Sequence, residues 1–148
     1  MNWEAYDFGH YTLTVLRRIP QREFQMVEEE GFPVHELDWA VELQFRAAWQ
    51  SCVSRPKGAT HNALVALFTG LDHLCRTGTG GAGFVSHAGE LHLSFESLGG
   101  GRVNITTHIH GLQNEDYCDT MRINSILNIG TLNHTRVKQL LERLNIQE

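Results

Sequence analysis

Nine histidines occur in this chain of 148 residues, and their spacing is the clearest indication of site chemistry. His108 and His110 are separated by one residue, which places both imidazoles on the same side of a β-strand. If His92 lies opposite His108 on a neighbouring strand, then Glu90 lies opposite His110. Zinc and iron accept imidazole and carboxylate ligands. The pattern therefore suggests a candidate metal site at Glu90, His92, His108 and His110, although histidine is also common on the water-facing side of a sheet.

Other patterns that could carry catalysis are weak. The run Gly78–Gly83 matches G-x-G-x-x-G, but a helical pattern precedes it and a strand pattern follows, the reverse of a dinucleotide-binding loop. The chain has no G-x-S-x-G motif, and its three cysteines have no C-x-x-C spacing. We interpret Cys75 as a buried apolar residue of a helix. The sequence therefore predicts no catalytic residue and no cofactor.

Negative charge is concentrated in one stretch, which we call the acidic segment. The net charge is −5, and residues 23–42 hold seven acidic side chains and no Lys or Arg. Such a stretch is typical either of a solvated loop or of a surface that attracts a basic protein partner. The acidic balance also disfavours nucleic acid as a ligand. The candidate partner-binding residues are Glu28, Glu29, Glu30, Glu36, Asp38 and Glu42.

The elements that must position these residues belong to a chain of one-domain length. Residues 1–148 lie within the usual ~100–200 residues per domain, and we predict one domain without an internal repeat. The apolar runs are far shorter than the ~20 residues that span a bilayer, so no membrane association is expected. The start of the chain lacks the features of a signal peptide, and an odd number of cysteines favours a reducing compartment. We therefore expect a cytoplasmic protein.

Alternating apolar residues predict five strands. The clearest is Leu37–Trp49, in which every odd position is apolar, so that one face meets a core and the other meets water. Two short segments, Phe24–Val27 and Phe84–Val85, have weaker strand patterns. The other four predicted strands are His10–Ile19, Glu90–Glu96, Arg102–Ile109 and Met121–Ile129.

Two further segments have the helical period. One begins after Thr60 as N-cap and ends at Gly78, and the other begins at about Asn133. The predicted order, β-β-α-β-β-β-α, is typical of an α+β domain in which helices pack on one face of an antiparallel sheet. The apolar stripes of the helices comprise Leu64, Leu67, Phe68, Leu71 and Cys75 in the first, and Val137, Leu140, Leu141 and Leu144 in the second.

The link Leu98–Gly101 predicts a hairpin, because glycine accepts the positive φ that hairpin turns need. Phe95 then opposes either Val103 or Ile105, since directly opposed residues share a face. The first register has a three-residue loop and sets Glu96 against Arg102, and we favour it for its short turn and opposite-charge pair. The second register has a longer loop and brings His92 opposite His108.

The layout as a whole resembles a known family. The segments that carry the resemblance are DWAVELQF (Asp38–Phe45), ALVALFTGLDHL (Ala63–Leu74), GELHLSFESLGGGRVNITTHI (Gly89–Ile109) and INSILNIGTLNHTRVKQLLERL (Ile123–Leu144). In this order they are similar to the WapI-type immunity proteins of bacterial polymorphic toxin systems. The resemblance covers about residues 10–146 and lies in pattern and spacing rather than in a catalytic signature.

The resemblance implies a protein without enzyme activity that binds a cognate toxin domain and blocks its active site or its access to substrate. The residues themselves are consistent with a binding scaffold that has a concentrated negative charge. Two alternatives stay open: a metal-binding module or metal-dependent enzyme that uses the histidines, and an adaptor whose partner is not a toxin.

Overall fold

The computed structural model describes residues 4–18, 39–48, 50–56, 58–86, 89–114 and 117–146. Within these residues the chain forms eight strands, two α-helices and a short 3-10 helix at Ile129–Leu132. The strands and α-helices in chain order are β1 (Glu4–Phe8), β2 (Tyr11–Arg18), β3 (Trp39–Ala47), β4 (Gln50–Ser54), α1 (His61–Thr77), β5 (Gly81–Val85), β6 (Leu91–Gly99), β7 (Arg102–Asn114), β8 (Tyr117–Asn128) and α2 (His134–Ile146).

The strands form two antiparallel four-stranded sheets, and in each sheet the neighbours in space are also neighbours in sequence. Sheet 1 contains β1 to β4 and is followed by α1, whereas sheet 2 contains β5 to β8 and is followed by α2. The α+β class is therefore confirmed. The predicted order β-β-α-β-β-β-α and the single sheet are wrong, because β1 and β4 are additional strands, β5 contains the weaker strand pattern Phe84–Val85 that this order leaves out, and the strands divide into two sheets.

Strand β1 lies before the first predicted strand and pairs with it. Gly9 has a φ of 66°, which permits the tight reversal that sets Phe8 opposite Tyr11. Tyr6 and Phe8 are both buried, so β1 also shows the alternation of a one-sided strand. Because β1 has only five residues, its alternation is too short to predict a strand from the sequence.

The long alternation Leu37–Trp49 contains one strand, β3, and it is followed by a further strand, β4, that the pattern does not predict. Strand β3 ends at Ala47, and β4 runs back beside it with Gln50 opposite Ala47 and Cys52 opposite Phe45. No Gly, Pro, Asn or Asp marks the reversal, which is why the sequence gives no turn signal there. The predicted strand Phe24–Val27 lies outside the described residues.

A single hydrophobic core joins both sheets and both helices. Phe8 of sheet 1 packs against Phe95 of sheet 2, with ring centroids 5.3 Å apart. Tyr6 packs edge-on against Phe68 of α1 at 5.5 Å, and its hydroxyl donates a hydrogen bond of 2.7 Å to the carbonyl oxygen of Leu132. Burial raises the pKa of Tyr6 far above its ordinary value, so the phenol stays protonated as a donor.

Helix α1 begins and ends as the sequence predicts. The Thr60 hydroxyl accepts a hydrogen bond of 3.0 Å from the Ala63 N–H, which caps the first turn. Gly78 has a φ of 71°, and its N–H donates to the Leu74 carbonyl at 2.8 Å, which ends the helix. The buried stripe contains Leu64, Leu67, Phe68, Leu71 and Leu74.

The two halves of the chain share one plan, although their sequences show no repeat. Each half is a four-stranded meander followed by a helix. Both helices begin with a histidine, His61 or His134, and both bury apolar residues at the same spacings from it. The matching buried residues are Leu64, Leu67 and Leu71 in α1 and Val137, Leu140 and Leu144 in α2.

Candidate functional site

The three histidines of the predicted metal site lie together on the outward face of sheet 2. His92 of β6 is directly opposite His108 of β7, and His110 is on the same face of β7. The ring centroid of His92 lies 6.4 Å from that of His108 and 6.2 Å from that of His110. The ring centroids of His108 and His110 are 4.0 Å apart. We call these three residues the histidine cluster.

Alternation within the two strands places the cluster outward. Leu91 and Leu93 flank His92 and are buried, as are Thr107 and Ile109 on either side of His108. Because successive side chains of a strand point to opposite faces, burial of these neighbours turns the imidazoles toward water. His92 and His110 are exposed and His108 is half-buried.

The favoured hairpin register is wrong, and the other register is the one that assembles the cluster. Phe95 lies opposite Ile105, and Glu96 lies opposite Asn104 rather than Arg102. A bulge at Leu98 then shifts the pairing, so that Gly99 lies opposite Arg102. In a ladder without a bulge this register needs a longer loop, which is why the sequence favours the other register.

The bulge lets the same register close with a tight turn. Gly100 and Gly101 have φ values of 62° and 76°, so both central residues of the turn are left-handed, as in a type I′ hairpin. Leu98, the extra residue, is 46% exposed. The glycine run was thus a correct hairpin signal, but it did not reveal the inserted residue.

Arg122 of β8 extends the cluster sideways, since it lies directly opposite His108 on the other side of β7. Desolvation lowers the pKa of His108, and the nearby positive charges of His110, Arg122 and His92 lower it further. The His108 imidazole therefore favours its neutral form, in which a ring nitrogen carries a free lone pair. Nothing in the alternation of Met121–Ile129 singles out Arg122.

The backbone of Glu90 lies beside the histidine cluster, because the His110 N–H donates a hydrogen bond of 2.8 Å to the Glu90 carbonyl oxygen. This agrees with the predicted position of Glu90 opposite His110. In the described part of the chain, no three His, Cys, Asp or Glu side chains are already arranged to hold a metal ion. The structure therefore brings the three imidazoles to one place without a finished coordination geometry.

Of the six candidate partner-binding residues, only Glu42 belongs to the described residues. It is on the outward side of β3, opposite Thr14 of β2. The Arg55 Nε lies 2.6 Å from the Glu42 Oε2, and the Glu42 side chain is 17% exposed. Glu28, Glu29, Glu30, Glu36 and Asp38 lie outside the described residues.

Cys75 packs against the core but is half-buried rather than buried as predicted, and Cys52 is also half-buried. Burial raises the pKa of the Cys75 thiol, and the Asp72 carboxylate raises it further. Burial also raises the pKa of the Cys52 thiol, more than a backbone hydrogen bond at Phe45 lowers it. Neither thiol is activated as a nucleophile. The run Gly78–Gly83 begins at the end of α1 and continues into β5, so it leads into a strand rather than into the helix N-terminus that a phosphate-binding loop needs.

A groove lies between the two sheets, and the sequence patterns do not predict it. It has a volume of about 440 Å³ and runs along β8. The Tyr11 hydroxyl and the Ser125 hydroxyl, 3.2 Å apart, join the two sheets beside it. A pattern within one segment cannot reveal a groove that two sheets form together. Its lining residues are His10, Phe45, Ala47 and residues 122–127.

Comparisons of the chain with models of protein families, with curated proteins and with solved structures found no match. The resemblance to the WapI-type immunity proteins therefore stays a prediction. Within the described residues, no helix has the length and apolar composition needed to cross a membrane.

Proposed function

We propose that this protein is an immunity protein that binds a cognate bacterial toxin domain and neutralises it by forming a stoichiometric complex. The proposed protein acts in the cytoplasm, without catalysis and without a cofactor. The observation that carries the proposal is the acidic segment, whose seven acidic residues continue into β3 of sheet 1 without one Lys or Arg. The resemblance over about residues 10–146 is its second support.

The charge of the acidic segment fits one class of toxin. Enzymes that act on RNA or nucleotides need basic active sites to hold phosphate groups, and an acidic surface is complementary to them. Complementary potentials speed the encounter of two proteins and help to exclude wrong partners. The protein is therefore proposed to inhibit the toxin by binding directly over its basic active site.

Strand β3 provides a rigid support at the end of this segment. It is paired with β2 on one side and with β4 on the other, and its inward residues Val41 and Leu43 are buried. Glu42 faces outward from it. Because the Arg55 guanidinium offsets part of the Glu42 charge, we assign most of the attraction to Glu28, Glu29 and Glu30.

The first experiment is co-expression of the chain with the C-terminal domain encoded immediately upstream, followed by a growth assay and co-purification. The expected result is that the upstream domain alone stops growth, and that the chain restores growth and forms a one-to-one complex with it. A harmless neighbour, or a lethal one that the chain does not neutralise, would contradict the proposal.

A second experiment tests the role of charge in the complex. The double variant Glu28→Lys with Glu29→Lys is compared with Glu96→Lys with Glu142→Lys, which changes the net charge equally at exposed positions elsewhere. At low salt the first pair is expected to slow association by at least about tenfold and the second pair far less. Equal association rates in both variants, or binding that does not weaken with salt, would place the interface elsewhere.

A further inference from the structure

We propose that the histidine cluster binds one divalent transition-metal ion of the class that prefers imidazole ligands, such as Zn²⁺ or Cu²⁺. The binding chemistry is coordination by one ring nitrogen from each of His92, His108 and His110. This inference does not depend on the proposed function, since the cluster lies on sheet 2 and the acidic segment leads into sheet 1.

The two strands fix the backbone positions of all three ligands. His92 and His108 are a directly opposed pair of the β6–β7 ladder, and His110 is the next residue on the same face of β7. The backbone positions of the three histidines are fixed, because the buried inward residues of each strand hold it in place. Coordination therefore costs little ordering of the main chain.

The ring positions are close to those of a three-histidine site. With metal–nitrogen distances of about 2.1 Å and near-tetrahedral angles, the ring centroids around a zinc ion are about 5 Å apart. The observed distances are 4.0 Å for His108 and His110, and 6.2 Å and 6.4 Å for His92 to its two neighbours. Two side-chain changes are required: the exposed His92 ring turns toward β7, and the His108 and His110 rings separate by about 1 Å.

Metal binding does not have to break a hydrogen bond between these rings and another described residue. Among the described residues, no hydrogen bond engages the ring nitrogens of His92, His108 or His110, in contrast to two other histidines. His61 accepts a hydrogen bond of 3.3 Å from the Trp39 indole, and His134 is 2.6 Å from the Asp72 carboxylate. Within the described residues, the three imidazoles of the cluster therefore lie together with ring nitrogens that make no hydrogen bond.

Arg122 gives the proposal a specific consequence. Its guanidinium neighbours His108 across the β7–β8 pairing, and a fixed positive charge beside the site repels a cation. Replacement of Arg122 by the neutral Gln is therefore expected to tighten metal binding. A metal that binds elsewhere on the chain would not respond to this substitution.

The test is calorimetric titration of the full chain, without an affinity tag, with ZnCl₂ and then with CuCl₂ in a buffer that does not chelate metals. The expected result is one equivalent bound, with Cu²⁺ tighter than Zn²⁺. His108→Asn and His92→Asn should each weaken binding by at least about tenfold, and Arg122→Gln should strengthen it. His73→Asn, which alters an exposed histidine of α1, is the matched control and should leave the affinity unchanged.

Two results would overturn the proposal. One is the absence of saturable binding by the native chain. The other is binding that His108→Asn leaves unchanged, or that His73→Asn weakens equally, because either would mean a different or non-specific site. Nitrogen hyperfine splitting in the spectrum of the bound Cu²⁺ counts the imidazole ligands directly, and three are expected. The cluster faces water, so circular dichroism should show the same fold in all four variants.

Discussion

Thr107 has a buried hydroxyl that finds no hydrogen-bond partner among the described residues. It lies on the inward face of β7, between Leu93 of β6 and Ile123 of β8. An unpaired hydroxyl in such a place costs about 1–3 kcal/mol of desolvation. Its neighbours His108 and Thr106 point to water, so a single residue step in this strand separates the core from the histidine cluster.

We predict that Thr107→Val raises the free energy of unfolding by about 1 kcal/mol or more, because valine has nearly the same shape and no polar group to desolvate. Urea denaturation followed by circular dichroism measures the change. The matched control is Thr106→Val, since the Thr106 hydroxyl faces outward and donates to the Asn124 side chain at 3.3 Å. This control should change stability by no more than about 0.5 kcal/mol. A marked loss of stability in Thr107→Val would show that the hydroxyl has a partner.

Helix α1 approaches strand β5 closely at Gly70. A Cβ atom at this position would lie 2.8 Å from the Ala82 Cβ and 3.2 Å from the Gly81 carbonyl oxygen. Alanine has a higher helix propensity than glycine by about 1 kcal/mol. The steric overlap between the helix and the sheet opposes this gain.

We predict that Gly70→Ala lowers the free energy of unfolding by about 1–2 kcal/mol, because the cost of overpacking exceeds the gain in propensity. Gly130→Ala is the control, since no atom lies within 4 Å of the added Cβ and no positive φ is involved. It should leave stability unchanged or slightly raised. Adding Ala82→Gly to Gly70→Ala should restore much of the loss, and a failure to do so would place the strain elsewhere.

Helices α1 and α2 are connected by a polar contact as well as by the core. The His134 Nε2 lies 2.6 Å from Asp72 Oδ1, and the Arg76 Nε is 3.1 Å from Asp72 Oδ2. The hydrogen bond from His134 is the main reason that the pKa of Asp72 lies below its ordinary value of 3.8. The hydrogen bond and the positive charge of Arg76 lower it further. A carboxyl with a depressed pKa stabilises the folded state above its unfolded pKa and loses this contribution as pH falls through the folded pKa.

We predict that Asp72→Asn lowers stability at pH 7 by no more than about 1 kcal/mol, since the pair is partly exposed. The difference from the native chain should shrink as pH falls below about 4, where the native carboxyl itself takes up a proton. Urea midpoints measured between pH 3 and pH 7 test this. Glu142→Gln, which neutralises an exposed carboxyl of α2, provides the control. A difference that grows toward low pH would contradict the assignment.

At the scale of the whole molecule, both meander-and-helix halves share one core. Phe8 contacts Phe95, and Tyr6 contacts both α1 and the segment before α2. These contacts connect residues that are far apart in sequence. Neither half can therefore expose its inward face without disrupting the other half.

We predict that the chain unfolds in one cooperative transition. All three tryptophans precede α1, so their fluorescence reports on the first half, while hydrogen exchange in β6 and β7 peptides reports on the second. The two probes should give the same urea midpoint, as expected for a two-state domain. Separate midpoints would show that the halves are independent units.

Elements whose cause is local can be predicted from the residues alone. The apolar stripe of α1 from Leu64 to Leu71, its cap at Thr60 and its end at Gly78 follow from side chains and φ preferences within a few residues, and all three are confirmed. The outward position of His92 and His108 is determined in the same way, because burial of their neighbours turns alternate residues to water. The α+β class followed from the two periods.

The way in which these elements combine depends on contacts between residues that are distant in sequence. The register that unites His92 with His108 depends on one bulged residue at Leu98, and a bulge has no fixed signature in a single sequence. The reversal between β3 and β4 lacks a turn residue, so only pairing across the sheet reveals it. The division into two sheets is set by contacts such as Phe8 with Phe95. Such contacts depend on the shape of the whole core, which no local period encodes.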